Sequence, residues 1–158
     1  MSLRPPGNPA AIVNPFEYSN MCGGIEYTYR GSVIRSYFPN PKAKLPLRTR
    51  DGEIELMPWG RRKKQIGELP MGGWARLESI NKGVWDRWFP KPVKIMLDQF
   101  MEKDIEGSSH WYELTKGQWI QGLLARYNDE KRVYVVTVIP EMPDAVHDRW
   151  PRIMSGSG

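Results

Sequence analysis

One cysteine, Cys22, and two histidines, His110 and His147, are the side chains of this 158-residue sequence best suited to nucleophilic or proton-transfer work at neutral pH. A single thiol excludes an intrachain disulfide and every multi-cysteine zinc site. With only two histidines a metal centre would have to lean on carboxylates, so neither a metal nor a cofactor is expected. Taken singly, each candidate has an ordinary reading: Cys22 in MCGG as a small buried apolar residue, Glu102 in FMEK as a surface carboxylate, His147 in HDRWP as a loop histidine. The remaining chemistry lies in charge. Arg61, Arg62, Lys63 and Lys64 form the only dense basic run, directly after Pro58, Trp59 and Gly60. Such a run is ordinarily a solvated loop, but beside an aromatic ring it suits a nucleic-acid backbone. The net charge of +5 agrees with a polyanionic partner. No GxxxxGK[ST] loop is present, so nothing supports nucleotide hydrolysis.

The elements that must position these residues are mostly strands. Residues 1–20 hold four prolines and no regular period, and read as an irregular extension or pro-segment ahead of a single domain over 21–154, with 155–158 as a flexible tail. Ile25 to Arg30 and Glu53 to Met57 read as strands, the second ending at Pro58. Arg132 to Ile139 is too apolar for an exposed strand and predicts a buried one. Val93 to Met101 has mixed strand and helix character, Trp119 to Tyr127 fits a strand or a short helix, and Glu78 to Trp88 is the best helical stretch, weakened by Gly83. The class is therefore α+β, mostly β. Seven Trp and seven Tyr are a high load for this length, most of them expected in the core. No apolar run approaches a membrane span or a signal peptide, which points to a cytoplasmic protein without a membrane partner.

The order and setting of the candidates say more than any one of them. Met21-Cys22-Gly23 opens the domain, and Trp59-Gly60 follows a strand. Ala75-Arg76-Leu77-Glu78-Ser79 lies in mid-chain, followed by Phe100-Met101-Glu102 and, near the end, His147-Asp148-Arg149-Trp150-Pro151. This series resembles the SOS response-associated peptidase family, whose members react covalently with abasic sites in single-stranded DNA. The resemblance covers about residues 21 to 154, and the final motif is its most specific part. It implies a single domain with a bent or barrel-like mixed sheet and a few short helices, acting as a monomer on single-stranded DNA containing abasic sites. It further implies Cys22 as nucleophile, Glu102 as general acid/base at the sugar ring oxygen, and His147 as a second proton-transfer group. Arg76 would hold a phosphate or the sugar end of the lesion, and Trp59 would stack on a neighbouring base, with Arg61, Arg62, Lys63 and Lys64 along the strand. Pro39 or Pro41 would correspond to the family's wedge loop. Gly23, Trp74, Glu78, Asp148 and Arg149 would support the site.

The implied chemistry needs a cysteine at a chain start. An aldehyde condenses with its α-amine to an imine, and the thiol two carbons away then closes a five-membered thiazolidine. With a pKa of ~7.8 the α-amine is ~14% neutral at pH 7, against ~0.04% for a lysine at ~10.4. In this sequence 21 residues precede Cys22. The crosslinking reading therefore expects either a start at Met21 or self-cleavage before Cys22. The chain departs from the family pattern at Trp74 in place of Asn, Gly24 in place of Arg and Lys103 in place of Trp. A non-catalytic single-stranded DNA-binding module, and a thiol peptidase using Cys22 and His147, remain as alternative functions.

Overall fold

A computed structural model describes residues 23–140 and 149–156, and among these residues it has twelve strands, one five-residue helix and a short 3₁₀ turn. The extension over 1–20, together with Cys22, His147 and Asp148, lies outside the described residues. Strands β1 (Gly24–Tyr29), β2 (Ser32–Tyr37), β7 (Gln99–Lys103) and β8 (Ser109–Glu113) form a four-stranded antiparallel sheet in the order β2-β1-β7-β8. The β1–β2 hairpin turns at Arg30 and Gly31, both with positive φ (52° and 81°), a geometry whose twist matches the strands it joins.

The larger sheet contains β3 (Lys44–Arg48), β4 (Ile54–Pro58), β6 (Lys91–Ile95), β9 (Gln118–Tyr127), β10 (Glu130–Val138) and β11 (Trp150–Pro151), in the order β11-β10-β9-β6-β3-β4. Strand β5 (Trp74–Arg76) adds parallel to β10, and β12 (Ile153–Ser155) adds to β9. The sheet curls until Trp59, one residue past β4, bridges to Val133 of β10, where the Gly60 amide donates to the Val133 carbonyl (2.8 Å). Gly60 has φ 54°, and a Cβ there would run into the Gly72 carbonyl, so the closure needs glycine. The mostly β architecture with few helices is the class read from the sequence, and the curled sheet is of the bent or barrel-like kind that the resemblance implies. Residues 155 and 156, expected in a flexible tail, are held in the fold, because β12 reaches Ser155 and the Gly156 amide donates to the Gly117 carbonyl.

Alternation of side chains divides the apolar residues into two cores. Ile25, Tyr27, Phe38, Leu45, Trp59, Ile95, Phe100, Ile120 and Val133 fill the space between the two sheets. Leu69, Trp85, Trp88, Leu123, Tyr134 and Val136 form a second cluster on the other face of β9 and β10, under α1 (Leu77–Asn81) and the 3₁₀ turn Asp86–Trp88. The strand expected at Arg132 to Ile139 is β10, with Val133 to Thr137 buried, and Trp119 to Tyr127 resolves as strand. Two expectations change. Val93 to Met101 is not one element: Met96 and Asp98 donate to Pro46 and Glu26, and the flanking halves enter different sheets. Glu78 to Trp88 is not one helix, because α1 stops at Asn81 and Gly83 turns left-handed (φ 83°) before the 3₁₀ turn.

Candidate functional site

Gly23 is the described residue nearest to Cys22 along the chain. Its amide donates to the Met101 carbonyl (3.2 Å) and its carbonyl accepts from Phe38 (2.9 Å), so the entry into β1 is pinned between β7 and the end of β2. Gly24 follows, and a Cβ there would sit 3.1 Å from the Tyr37 ring and 3.2 Å from Met101 Cε. Small residues at this corner leave a cavity of about 450 Å³ walled by Gly23, Tyr37, Phe38, Pro39, Trp74, Met101, Lys103 and Ser109, mostly apolar. Trp74, which stands where the resemblance expects Asn, thus supplies a ring wall rather than an amide. Glu102 lies on β7 between Met101 and Lys103, only 2% exposed. Successive strand side chains alternate, so Glu102 shares the face of Phe100 while its two neighbours line the cavity. A carboxylate buried to this degree is costly unless interactions compensate, which marks the position as more than a surface residue.

The structure joins two motifs that are far apart in sequence. Arg149 is 4% exposed and donates from Nη1 and Nη2 to both carboxylate oxygens of Glu78 (2.7 and 2.9 Å). It also donates to the Thr137 carbonyl (2.8 Å) and hydroxyl (3.1 Å from Nη2). The Arg149 hydrogen bonds, with further help from Arg76, hold the Glu78 carboxyl down at about 2. Arg76 itself caps the start of α1 through its backbone, sits beside Thr137 in the β5–β10 register, and is half-buried. Among the described residues its side chain makes no hydrogen bond or salt bridge, and its charge acts on the Glu78 carboxylate without direct contact.

Other expected contacts are not met. Trp59 is fully buried, its Nε1 donates to Gly73 (3.0 Å), and its ring meets Phe38 and Trp74 edge-on at 5.3 and 5.9 Å. It offers no face to a base, because closing the barrel uses the ring as core. Arg61 and Arg62 also turn inward. Arg61 donates to Leu69 (2.6 Å) and Gln65 (2.8 Å), and Arg62 to Phe38 and Trp59 (2.5 Å each) while lying 4.0 Å above the Phe38 ring. Burial, then the nearby Arg132, pulls the Arg62 guanidinium down to about 10. The two arginines hold the loop after β4 instead of reaching a strand, and only Lys63 and Lys64 of the run are exposed. Pro41 is exposed and its carbonyl accepts from Gln65 Nε2 (3.3 Å), whereas Pro39 lines the cavity.

The expected site residues therefore fall into three groups. Gly23 and Trp74 meet at the cavity, with Glu102 on the adjoining strand. Arg76, Glu78 and Arg149 meet beside Thr137, and Trp59, Arg61 and Arg62 are structural. Sequence reading missed Tyr37, Phe38 and Ser109 as cavity walls, since no motif includes them and only the β1–β2 and β7–β8 pairings bring them there. Among the described residues no group of three His, Cys, Asp or Glu is placed to hold a metal ion, and no helix is long and apolar enough to cross a membrane. No family model matches the chain, and no curated protein is significantly similar to it.

Proposed function

We propose that the protein captures abasic sites in single-stranded DNA by forming a thiazolidine with Cys22 once the amine of that residue is free. The observation that carries this reading is the cavity at the entry to β1. The residue bonded to Cys22 forms part of its wall, Trp74 and Met101 keep it apolar, and the strand beside it holds the buried Glu102. An apolar site favours the neutral amine and slows competing hydrolysis. Glu102, buried on the face of β7 opposite the cavity-lining Met101 and Lys103, is the proton source that the resemblance names for opening the lesion to its aldehyde. The Cys22 amine adds to the aldehyde carbon, water leaves with proton transfers through His147, and the thiolate adds to the imine carbon while nitrogen takes up the proton. Arg76 holds the adjoining phosphate. The resemblance of the five motifs in their order supports the same assignment.

The test uses a chain beginning at Cys22, incubated with an abasic single-stranded oligonucleotide. A denaturation-resistant adduct is expected, absent in Cys22→Ala and formed about a hundredfold more slowly in Glu102→Gln. No adduct with the parent rejects the reading. In the uncut chain the Cys22 nitrogen is an amide, which favours a second reading for that form: reversible, salt-sensitive binding of single strands without a covalent step.

A further inference from the structure

Where the 3₁₀ turn meets β6, Phe89 ends the turn in a strained conformation, its amide donating to the Asp86 carbonyl (3.1 Å). Phe89 is left-handed (φ 51°, ψ 57°), a region costly for a bulky residue and unusual before a proline such as Pro90. Glycine is the ordinary occupant of such a turn end. Burial does not offset the strain, because the Phe89 side chain is 60% exposed. A second cost lies next to it: the Trp88 indole N–H is buried without a hydrogen-bond partner.

Cations and rings alternate around this point. The Arg126 guanidinium lies 4.9 Å from the Phe89 ring centroid and that of Arg87 4.7 Å from Trp88. Trp88 meets Tyr127 edge-on at 5.8 Å, Tyr127 is 40% exposed, and Lys91 opens β6 opposite Leu124 of β9. Asp86 and Asp129 are the carboxylates beside these residues in sequence. Strain and an unpartnered donor beside an aromatic ring held in solvent against Arg126 point to a ligand with flat faces and negative charge.

We propose that Phe89 is a stacking platform for an unpaired nucleic-acid strand, with Arg126 against the ring and Lys91, opposite Leu124 on the same face of the sheet, on its phosphates. Ring and guanidinium planes accept any base, so the platform binds without sequence preference. It uses none of Cys22, Glu102 or His147 and shares only the class of ligand with the covalent reading.

The test follows fluorescence anisotropy of the full chain with a labelled oligo-dT that contains no abasic site. Phe89→Gly relieves the backbone strain, so its melting temperature is expected to equal or exceed that of the parent while oligo-dT affinity falls at least about fivefold, the loss of one stacked base. Arg126→Gln is expected to lower the slope of log affinity against log salt by about 0.7. Unchanged affinity in Phe89→Gly overturns the proposal, as does parent binding to polyglutamate as tight as to oligo-dT, which assigns the patch to an acidic protein. A parent that crosslinks abasic DNA while Phe89→Gly binds oligo-dT unchanged fails only here. One that binds through Phe89 but never crosslinks fails only the earlier reading.

Discussion

Two regions of this protein are built from the same kinds of residue and use them in opposite ways. Around the end of β4, Arg62 covers Phe38, and Phe38, Trp59 and Trp74 meet edge-on or tilted in the core. Around the start of β6, Arg126 and Arg87 cover Phe89 and Trp88, but Phe89 and Tyr127 face solvent. The difference is what the arginines bond to. Arg62 donates to the main-chain carbonyls of Phe38 and Trp59, so its charge is spent on shaping a loop. Among the described residues the Arg126 and Arg87 side chains make no hydrogen bond to a carbonyl, so theirs shape no loop. Arginine beside an aromatic is thus a structural brace or a binding surface according to whether backbone acceptors are within reach.

The contrast is sharpest in stability. Trp59→Ala removes a fully buried ring from the closure of the barrel and is expected to cost about 3–5 kcal/mol in urea unfolding, while Tyr127→Ala stays within about 1 kcal/mol. A loss as large at Tyr127 would break the comparison. Arg62→Met strands two part-buried carbonyls and is expected to cost about 1–3 kcal/mol, against no more than about 0.5 kcal/mol for Arg126→Met, by the same measurement.

A smaller effect comes from the clamp beside Arg76. The Glu78 carboxyl sits at about 2 in the fold, below its ordinary 4.5. Its ion pair therefore stabilises above about pH 4.5 and loses that contribution as pH falls toward 2. Glu78 is 48% exposed, so solvent screening limits the contribution to about 1 kcal/mol. Thermal melts of parent and Glu78→Gln are expected to differ most near neutrality and to converge near pH 2. The opposite sign is expected of Phe89→Gly, which stabilises by up to about 1 kcal/mol through relief of strain. Destabilisation there would show the ring to be a packing residue.

The strands were legible where local pattern and tertiary use agreed. The β-branched run of β10 reads as buried and is buried, because both faces meet a core. Val93 to Met101 misleads because its apolar content is continuous while the chain crosses between sheets at Met96 to Asp98, a break set by partners far away in sequence. Strand β3 was missed because Pro46 argues against an interior strand, yet its carbonyl still accepts from Met96. At the candidate site, Gly23, Trp74 and Glu102 could be named from motif order. The inward turn of Arg61 and Arg62 could not, since a charge run gives no sign of which carbonyls the fold will bring near it. Likewise the sequence marked Glu78 and Arg149 as separate supports, and only the β5–β10 pairing makes them partners.

That partnership also limits which changes of length the chain tolerates. Arg149 and Pro151 are both fixed on Thr137, the first by hydrogen bonds and the second by strand register, so the segment leaving β10 returns to the strand it left. Two independent fixings two residues apart leave no slack between them: a residue inserted or removed between Arg149 and Pro151 breaks the hydrogen bonds to Thr137 or the strand pairing, because one cannot move without the other.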